Sequence, residues 1–282
     1  MSQFEEAFRA FCGEAYCVGT ASGTEAIALA LRASGVEEGD EVLVPAVSAY
    51  PTTVGVVQAG AVPVFVDVMA EDGLMDPALA EEAIGPRTRA ILPVHLYGMP
   101  CDMAAFGSLA KSHGLALVGD CAQAHGSAFQ GRPVSAWSLA SAWSFYPTKN
   151  LGAFGDGGAV TTSDPGIAER VRKMGNYGQK NRYEHEVWGI NSRLDPVQAA
   201  ILKVKLSRLG QENDLRRSHA ARYQRGLGGL ASLEIARAPE GAVSSCHLFP
   251  ILLREPGWRD QFQKLLLAQG VETLVHFPIP MP

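Results

Sequence analysis

Short apolar runs alternate with longer segments of helical spacing through the first two thirds of the chain. Val42–Val44, Val64–Val66, Ala90–Pro93, Ala116–Val118, Ala142–Phe145 and Ala159–Thr162 read as buried strands. Thr24–Ala33, Thr52–Ala59, Pro77–Ile84, Met103–His113 and Gly166–Met174 carry the spacing and composition of helices. Strands that are apolar almost throughout are covered on both sides. The pattern therefore predicts an α/β fold, a mostly parallel central sheet with helices on both faces. Ligands of such sheets bind at the carboxyl ends of the strands. Past Arg193 the texture changes. Asp195–Gly210 and Glu212–Leu227 read as two helices, Ser245–Leu253 as a strand, and the region around Asp260–Gln269 as another helix. The expected division is a large domain over 1–192 and a smaller α+β domain over 193–282. The chain stops just after Val275-His276-Phe277-Pro278-Ile279-Pro280 without a closing helix, so the small domain is expected to be either unusually short or incomplete.

Composition narrows the classes. With 282 residues, 47% of them hydrophobic, the chain can bury one large core or two smaller ones. A net charge of −5 and the lack of a basic run argue against a nucleic-acid partner. The five cysteines are odd in number and form no CxxC pair, which fits a reducing cytoplasm and argues against a zinc site or disulfide framework. Phe4-Glu5-Glu6 opens the chain with acid where a secretory leader has base. Val42 to Val66 is uncharged and long enough to span a bilayer, but Pro45, Pro51, Pro63, Gly55 and Gly60 interrupt it. Strand, loop, helix, strand fits that stretch better than membrane insertion.

Candidate chemistry sits at two strand ends. Asp120 closes the apolar run Leu115–Gly119, and Lys149 lies in the Gly-bounded turn Ser144-Phe145-Tyr146-Pro147-Thr148-Lys149-Asn150-Leu151-Gly152. A lone lysine after Pro-Thr is ordinarily a solvated charge. Paired with the acid, it supplies both groups that pyridoxal phosphate (PLP) needs. The amine forms a Schiff base, and the acid keeps the pyridine nitrogen protonated so that the ring acts as an electron sink. Ala21-Ser22-Gly23-Thr24-Glu25-Ala26 opens a helix. Glycine admits a phosphate close to the backbone, Thr24 adds a hydroxyl, and the free N–H groups favour an anion. The same residues also read as an ordinary N-cap before an Ala-rich helix. Neither GxGxxG nor a Walker loop is present. The glycine run Gly152–Gly158 follows Lys149 and is expected to form a tight hairpin-like turn.

Taken in order, Ser22-Gly23-Thr24, Asp120-x-x-Gln123, Ser144-Phe145-x-Pro147-x-Lys149 and Gly189-x-Asn191-x-Arg193-x-Asp195-x-x-Gln198-Ala199-Ala200 resemble the DegT/StrS-type sugar aminotransferases. These are fold-type I PLP enzymes, and the resemblance runs from about Phe4 to Pro280. It implies that Lys149 holds the cofactor and moves a proton between substrate carbon and cofactor. Asp120 then matches the partner of the ring nitrogen, and Gln123 the residue beside the ring and its 3′-oxygen. Gly23, Thr24 and Ser144 match the phosphate cradle, and Asn191 a residue that reaches the phosphate from the second subunit of a homodimer. The null alternatives are a strand-end cap for Ser144, a satisfied loop for Gln123 and a turn for Asn191. The family places the His95 segment near the active site and the His276 segment near the sugar; Tyr183, in a Gly- and Asn-rich loop, and Arg193 are further candidates for the sugar, although loop packing and interface packing explain such residues as well. One departure stands out. Where the family stacks an aromatic on the ring, Pro45-Ala46-Val47-Ser48-Ala49-Tyr50-Pro51 has alanine at the expected place and Tyr50 one position later.

The resemblance implies an amino group passed from glutamate or glutamine to a keto group on a nucleotide-linked deoxysugar. The stretch from Gly189 to Leu206 looks most like members that aminate a 3-keto-6-deoxyhexose. Tyr50-Pro51-Thr52-Thr53-Val54 instead resembles the related keto-deoxysugar dehydrases. Those enzymes replace the lysine with histidine, so Lys149 argues against dehydration. A catalytically inert dimeric relative is the non-enzymatic alternative, opposed by the retained Lys149, Asp120 and Gln123.

Overall fold

The computed structural model describes residues 1–255 and 257–281. Strands β1 (Tyr16–Thr20), β2 (Glu41–Pro45), β3 (Val62–Val66), β4 (Thr88–Ile91), β5 (Ala116–Asp120), β6 (Ala140–Ser144) and β7 (Gly158–Thr162) form one sheet. Their order across it is β1-β7-β6-β5-β4-β2-β3. Strands β2 through β6 pair in parallel, whereas β7 runs antiparallel to both β1 and β6. The expected mostly parallel sheet is present, and the glycine run after Lys149 does lead into an antiparallel return strand. Two elements escaped the sequence reading: β1, and the N-terminal helix α1 (Ser2–Cys12).

Helices α2 (Gly23–Ala33), α3 (Tyr50–Gln58), α4 (Pro77–Glu82), α5 (Met103–His113), α6 (Pro165–Met174), α7 (Pro196–Leu227) and α8 (Arg259–Ala268) follow in chain order. Successive residues of a strand point to opposite faces, so an all-apolar strand feeds two cores. Val42 and Val44 pack with Ile27, Val56 and Val171, from α2, α3 and α6. Leu43, between them, packs with Phe8, Phe106 and Leu202, from α1, α5 and α7. Both faces are thus covered. Phe4 and Phe8 are fully buried with ring centroids 5.6 Å apart, and each contributes roughly 2–3 kcal/mol of burial free energy that ties α1 down.

The C-terminal third differs from expectation in two places. The two helices expected over Asp195–Gly210 and Glu212–Leu227 are one helix, the 32-residue α7. Gly210 does not end it, because the buried stripe Ala199, Leu202, Leu209, Asn213 continues on one face across the glycine. A helix-interior glycine costs only about 1 kcal/mol, less than that packing returns. The strand expected over Ser245–Leu253 is confined to Ile251–Leu253, which pairs antiparallel with Leu233–Ile235. Residues before it are irregular because their polar groups bond outward, to loops of the large sheet. No helix among the described residues is long and apolar enough to cross a membrane.

Candidate active site

Every functional side chain of the cleft comes from one edge of the sheet. Ser22–Thr24 follow β1, Ser48–Thr52 follow β2, Val94 follows β4, and Asp120 closes β5 with Ala122 and Gln123 just beyond. Ser144 ends β6, and Lys149 lies in its connection to β7. Because β7 runs the other way, Asp156 and Gly157 at its start reach the same edge. Together these residues line a cavity of about 330 Å³.

Asp120 sits on the floor with both oxygens occupied. Oδ1 accepts the Ala122 N–H at 3.0 Å and Oδ2 accepts the Thr52 hydroxyl at 2.8 Å. The Ser48 and Thr52 hydroxyls are 2.9 Å apart. Thr52 has a single proton, given to Asp120, so Ser48 must donate to Thr52. Burial raises the Asp120 pKa, opposed by the Ala122 amide, the Thr52 hydroxyl and the charge of Lys149. Burial lowers the Lys149 pKa, opposed by Asp120. Acid and amine therefore share one cavity and feel each other's charge. Desolvation pushes the lysine toward its neutral form, which is the nucleophile.

The opposite wall is built for an anion. Ser22 caps α2, its hydroxyl accepting the Glu25 N–H at 3.2 Å. The first-turn amides of Gly23 and Thr24 have no intrahelical acceptor and open onto the cavity. Gly23 is required there: a Cβ would lie 2.6 Å from Cβ of Ser144. A carboxylate for a ring N–H, an amine for an aldehyde and an amide cradle for a phosphate are the donor set that PLP needs. The residues present fit it.

A model of the DegT/DnrJ/EryC1/StrS aminotransferase family matches residues 1–282. This chain belongs to that family. It is 49% identical to the erythromycin biosynthesis sensory transduction protein EryC1 of Saccharopolyspora erythraea, over 99% of this chain and 75% of that one. It is 46% identical to a dTDP-3-amino-3,4,6-trideoxy-alpha-D-glucose transaminase of Streptomyces venezuelae, over 99% of this chain and 73% of that one. The crystal structure of S. venezuelae DesV in complex with a ketimine intermediate superposes with a TM-score of 0.96 at 46% identity, covering 99% of this chain and 74% of that one. The protein is a PLP-dependent aminotransferase of the DegT/DnrJ/EryC1/StrS family.

Against that family the remaining sequence-derived residues divide. Gln123 lines the cavity with its Oε1 accepting the Tyr97 N–H at 2.6 Å, so its amide plane is held by the backbone. Tyr50 does not line the cavity; it is 63% exposed at the start of α3, and Ala49 takes the wall position. His95 is not among the residues lining the cavity. Its ring is fully buried, Nδ1 accepts the Cys101 N–H at 3.1 Å, and burial alone lowers its pKa to about 3. It is a neutral core histidine, walled off from the cavity that its neighbour Val94 lines. Asn191, Arg193 and Tyr183 are exposed outside the cavity, with Asn191 Oδ1 accepting from Arg193 Nε at 2.8 Å. His276 is half-buried, and its carbonyl accepts the Tyr97 hydroxyl. Sequence reasoning missed Ser48 and Thr52 as the support of Asp120. Their signal was two hydroxyls four residues apart in an otherwise uncharged run.

Proposed function

We propose that this aminotransferase moves an amino group from glutamate or glutamine to the keto carbon of a nucleotide-linked deoxysugar, with a 3-keto-6-deoxyhexose the favoured acceptor. The 46%-identical transaminase of Streptomyces venezuelae is named for a dTDP-linked 3-amino sugar, which supports that choice. The observation that carries the residue assignment is the shared cavity of Lys149 and Asp120, with the Gly23–Thr24 amides across from them. When bound, PLP supplies an electron sink that stabilises negative charge on the carbon losing its proton. Asp120, held by Thr52 and Ala122, keeps its carboxylate against the ring N–H. Gly23, Thr24 and Ser144 hold the phosphate. Lys149 would hold the cofactor through its amine and would take up and release, at Nζ, the proton moved during the transfer. Gln123 borders the ring on the Tyr97 side.

The same reading makes the enzyme a cytoplasmic homodimer in which Asn191 of the partner subunit completes the phosphate cradle. Supporting it, Asn191 lies outside its own chain's cavity, and the loop bearing it exposes Tyr183 at 80% and Trp188 at 88%. Exposed aromatics clustered on one loop mark a surface meant to be covered.

Adding PLP to the wild-type protein is expected to give a visible absorbance band that glutamate bleaches and that borohydride locks onto the chain. Lys149→Ala is expected to lose the locked band and at least roughly ten-thousand-fold of the turnover. A Lys149→Ala protein that still fixes the cofactor on reduction sinks the assignment.

A further inference from the structure

Residues Ser244–His247 belong to the C-terminal third, yet their polar groups reach three loops at the carboxyl edge of the large sheet. On the loop after β4, Gly98 O accepts the Ser244 hydroxyl at 2.9 Å and the Ser245 N–H at 3.2 Å. On the loop after β5, Gln123 O accepts the Ser245 hydroxyl at 3.0 Å, and the Ser127 hydroxyl accepts the Ser245 N–H at 3.1 Å. On the loop after β6, the side chain of Asn150 is the receptor. Its Nδ2 donates to Ser245 O and to Asn213 Oδ1, each at 3.0 Å, and its Oδ1 lies 2.9 Å from His247 Nδ1. Asn213, buried on α7, in turn donates to His125 O at 2.7 Å.

The chemistry of this knot is fully determined. Both amide hydrogens of Asn150 are spent on oxygens, so its carbonyl must face His247, and Nδ1 of His247 must carry the proton. The ring is neutral: burial, followed by the charges of Lys149, Arg216 and His276, lowers its pKa to about 3. Asn150 is the residue next to Lys149. Gly98 has φ +88°, and a Cβ there would collide with the Ser245 hydroxyl and lie 3.0 Å from the His247 amide, so the close approach of the two segments needs glycine.

We infer that Ser244–His247 is a positioning strap: through Asn150 and the Gln123 carbonyl it sets the pose of Lys149 and Gln123 on two sides of the cofactor site. The strap touches no reacting atom. It couples the C-terminal third to Asn150, beside the catalytic lysine, through the His247 ring and the Ser245 carbonyl, and to Gln123 through the Ser245 hydroxyl. The inference rests on the assignment of Lys149 proposed above.

The test uses PLP-loaded protein carrying His247→Ala, His247→Asn or Ser245→Ala. His247→Ala is expected to lower kcat roughly ten- to hundredfold with the donor KM little changed, as misplacement of a reacting group does. It is also expected to displace the pH midpoint of the visible band, a readout that a merely structural role leaves in place. His247→Asn places an amide N–H where Nδ1 stands, retaining a donor for Asn150 Oδ1, and is expected to restore both. Ser245→Ala removes one hydroxyl from a protein that keeps every other bond, and is expected to lower kcat roughly two- to tenfold. A folded His247→Ala protein with wild-type kcat and band midpoint overturns the strap. If His247→Ala does not fold, wild-type kcat in Ser245→Ala overturns it instead. A wild-type protein that forms no visible band sinks the Lys149 assignment, a result distinct from either.

Discussion

The floor of the cleft and the loop of residues 176–192 handle their polar and aromatic groups in opposite ways. On the floor each oxygen of Asp120 accepts one bond from within the chain, from Ala122 and from Thr52, beside the cavity. The loop also has a defined backbone: Tyr177 N–H bonds Ile190 O, Ser192 N–H bonds Gly175 O, and Asn176 bridges Asn191. Yet its side chains face water. The backbone there is ordered while Tyr177, Tyr183 and Trp188 stay exposed. The contrast teaches that the buried carboxylate is steadied by groups of its own chain, while the aromatic groups of the loop find no cover within it.

Four substitutions or conditions sharpen that contrast. Asp120→Asn removes the carboxylate that faces the ring nitrogen, and turnover is expected to fall roughly a thousandfold in a single-turnover assay with glutamate. A fall of less than tenfold breaks the assignment of the floor. Thr52→Val removes a hydrogen bond to a buried charge, worth about 1.5–3 kcal/mol, so PLP is expected to bind roughly ten- to hundredfold more weakly by fluorescence titration. Unchanged affinity would mean that the Ala122 amide alone holds the carboxylate.

Acid is expected to attack the core beside the floor before the loop. His95 and His125 are neutral in the fold, each lowered by burial to about 3. Their unfolded-state value is near 6.5, so the unfolded chain takes up protons that the fold refuses. Their contribution is complete above pH 6.5 and is lost from there down toward pH 3, by about 1.4 kcal/mol per histidine per pH unit. Denaturant midpoints between pH 7 and 5 read this directly, and His125→Phe is expected to flatten the slope. The smallest effect on the isolated chain is expected for Trp188→Ser. Surface substitutions of this kind change stability by no more than about 0.5 kcal/mol. For the homodimer proposed above, sedimentation of Trp188→Ser is expected to show loss of dimer.

Much of the sheet was legible because its strands are uninterrupted Val, Leu and Ala runs. α1 and β1 were not read, although Phe4, Phe8 and Cys12 lie at helical spacing on one buried face. The glycine at 210 looked like a stop because sequence shows propensity and not the packing stripe that outweighs it. Lys149, Asp120, Gln123 and Gly23 were legible because each belongs to a spaced motif, and they converge on one cavity. His95 looked equally chemical. Its full burial is a property of the packing around it, which sequence does not display, and its Nδ1 accepts the Cys101 N–H six residues on.

The amino-acid order by itself determined which residue types stand at the ends of β5 and β6, and thereby which cofactor chemistry is available. Strand length and side-chain alternation are local, so apolar runs place an acid and an amine at the same edge whatever packs around them. Only the tertiary structure decided which groups are desolvated, which hydroxyl steadies Asp120, and that Ser244–His247 folds back onto Asn150. Those outcomes depend on burial and on bonds between distant residues, such as Ser244 and Gly98, 146 positions apart, which no local pattern encodes.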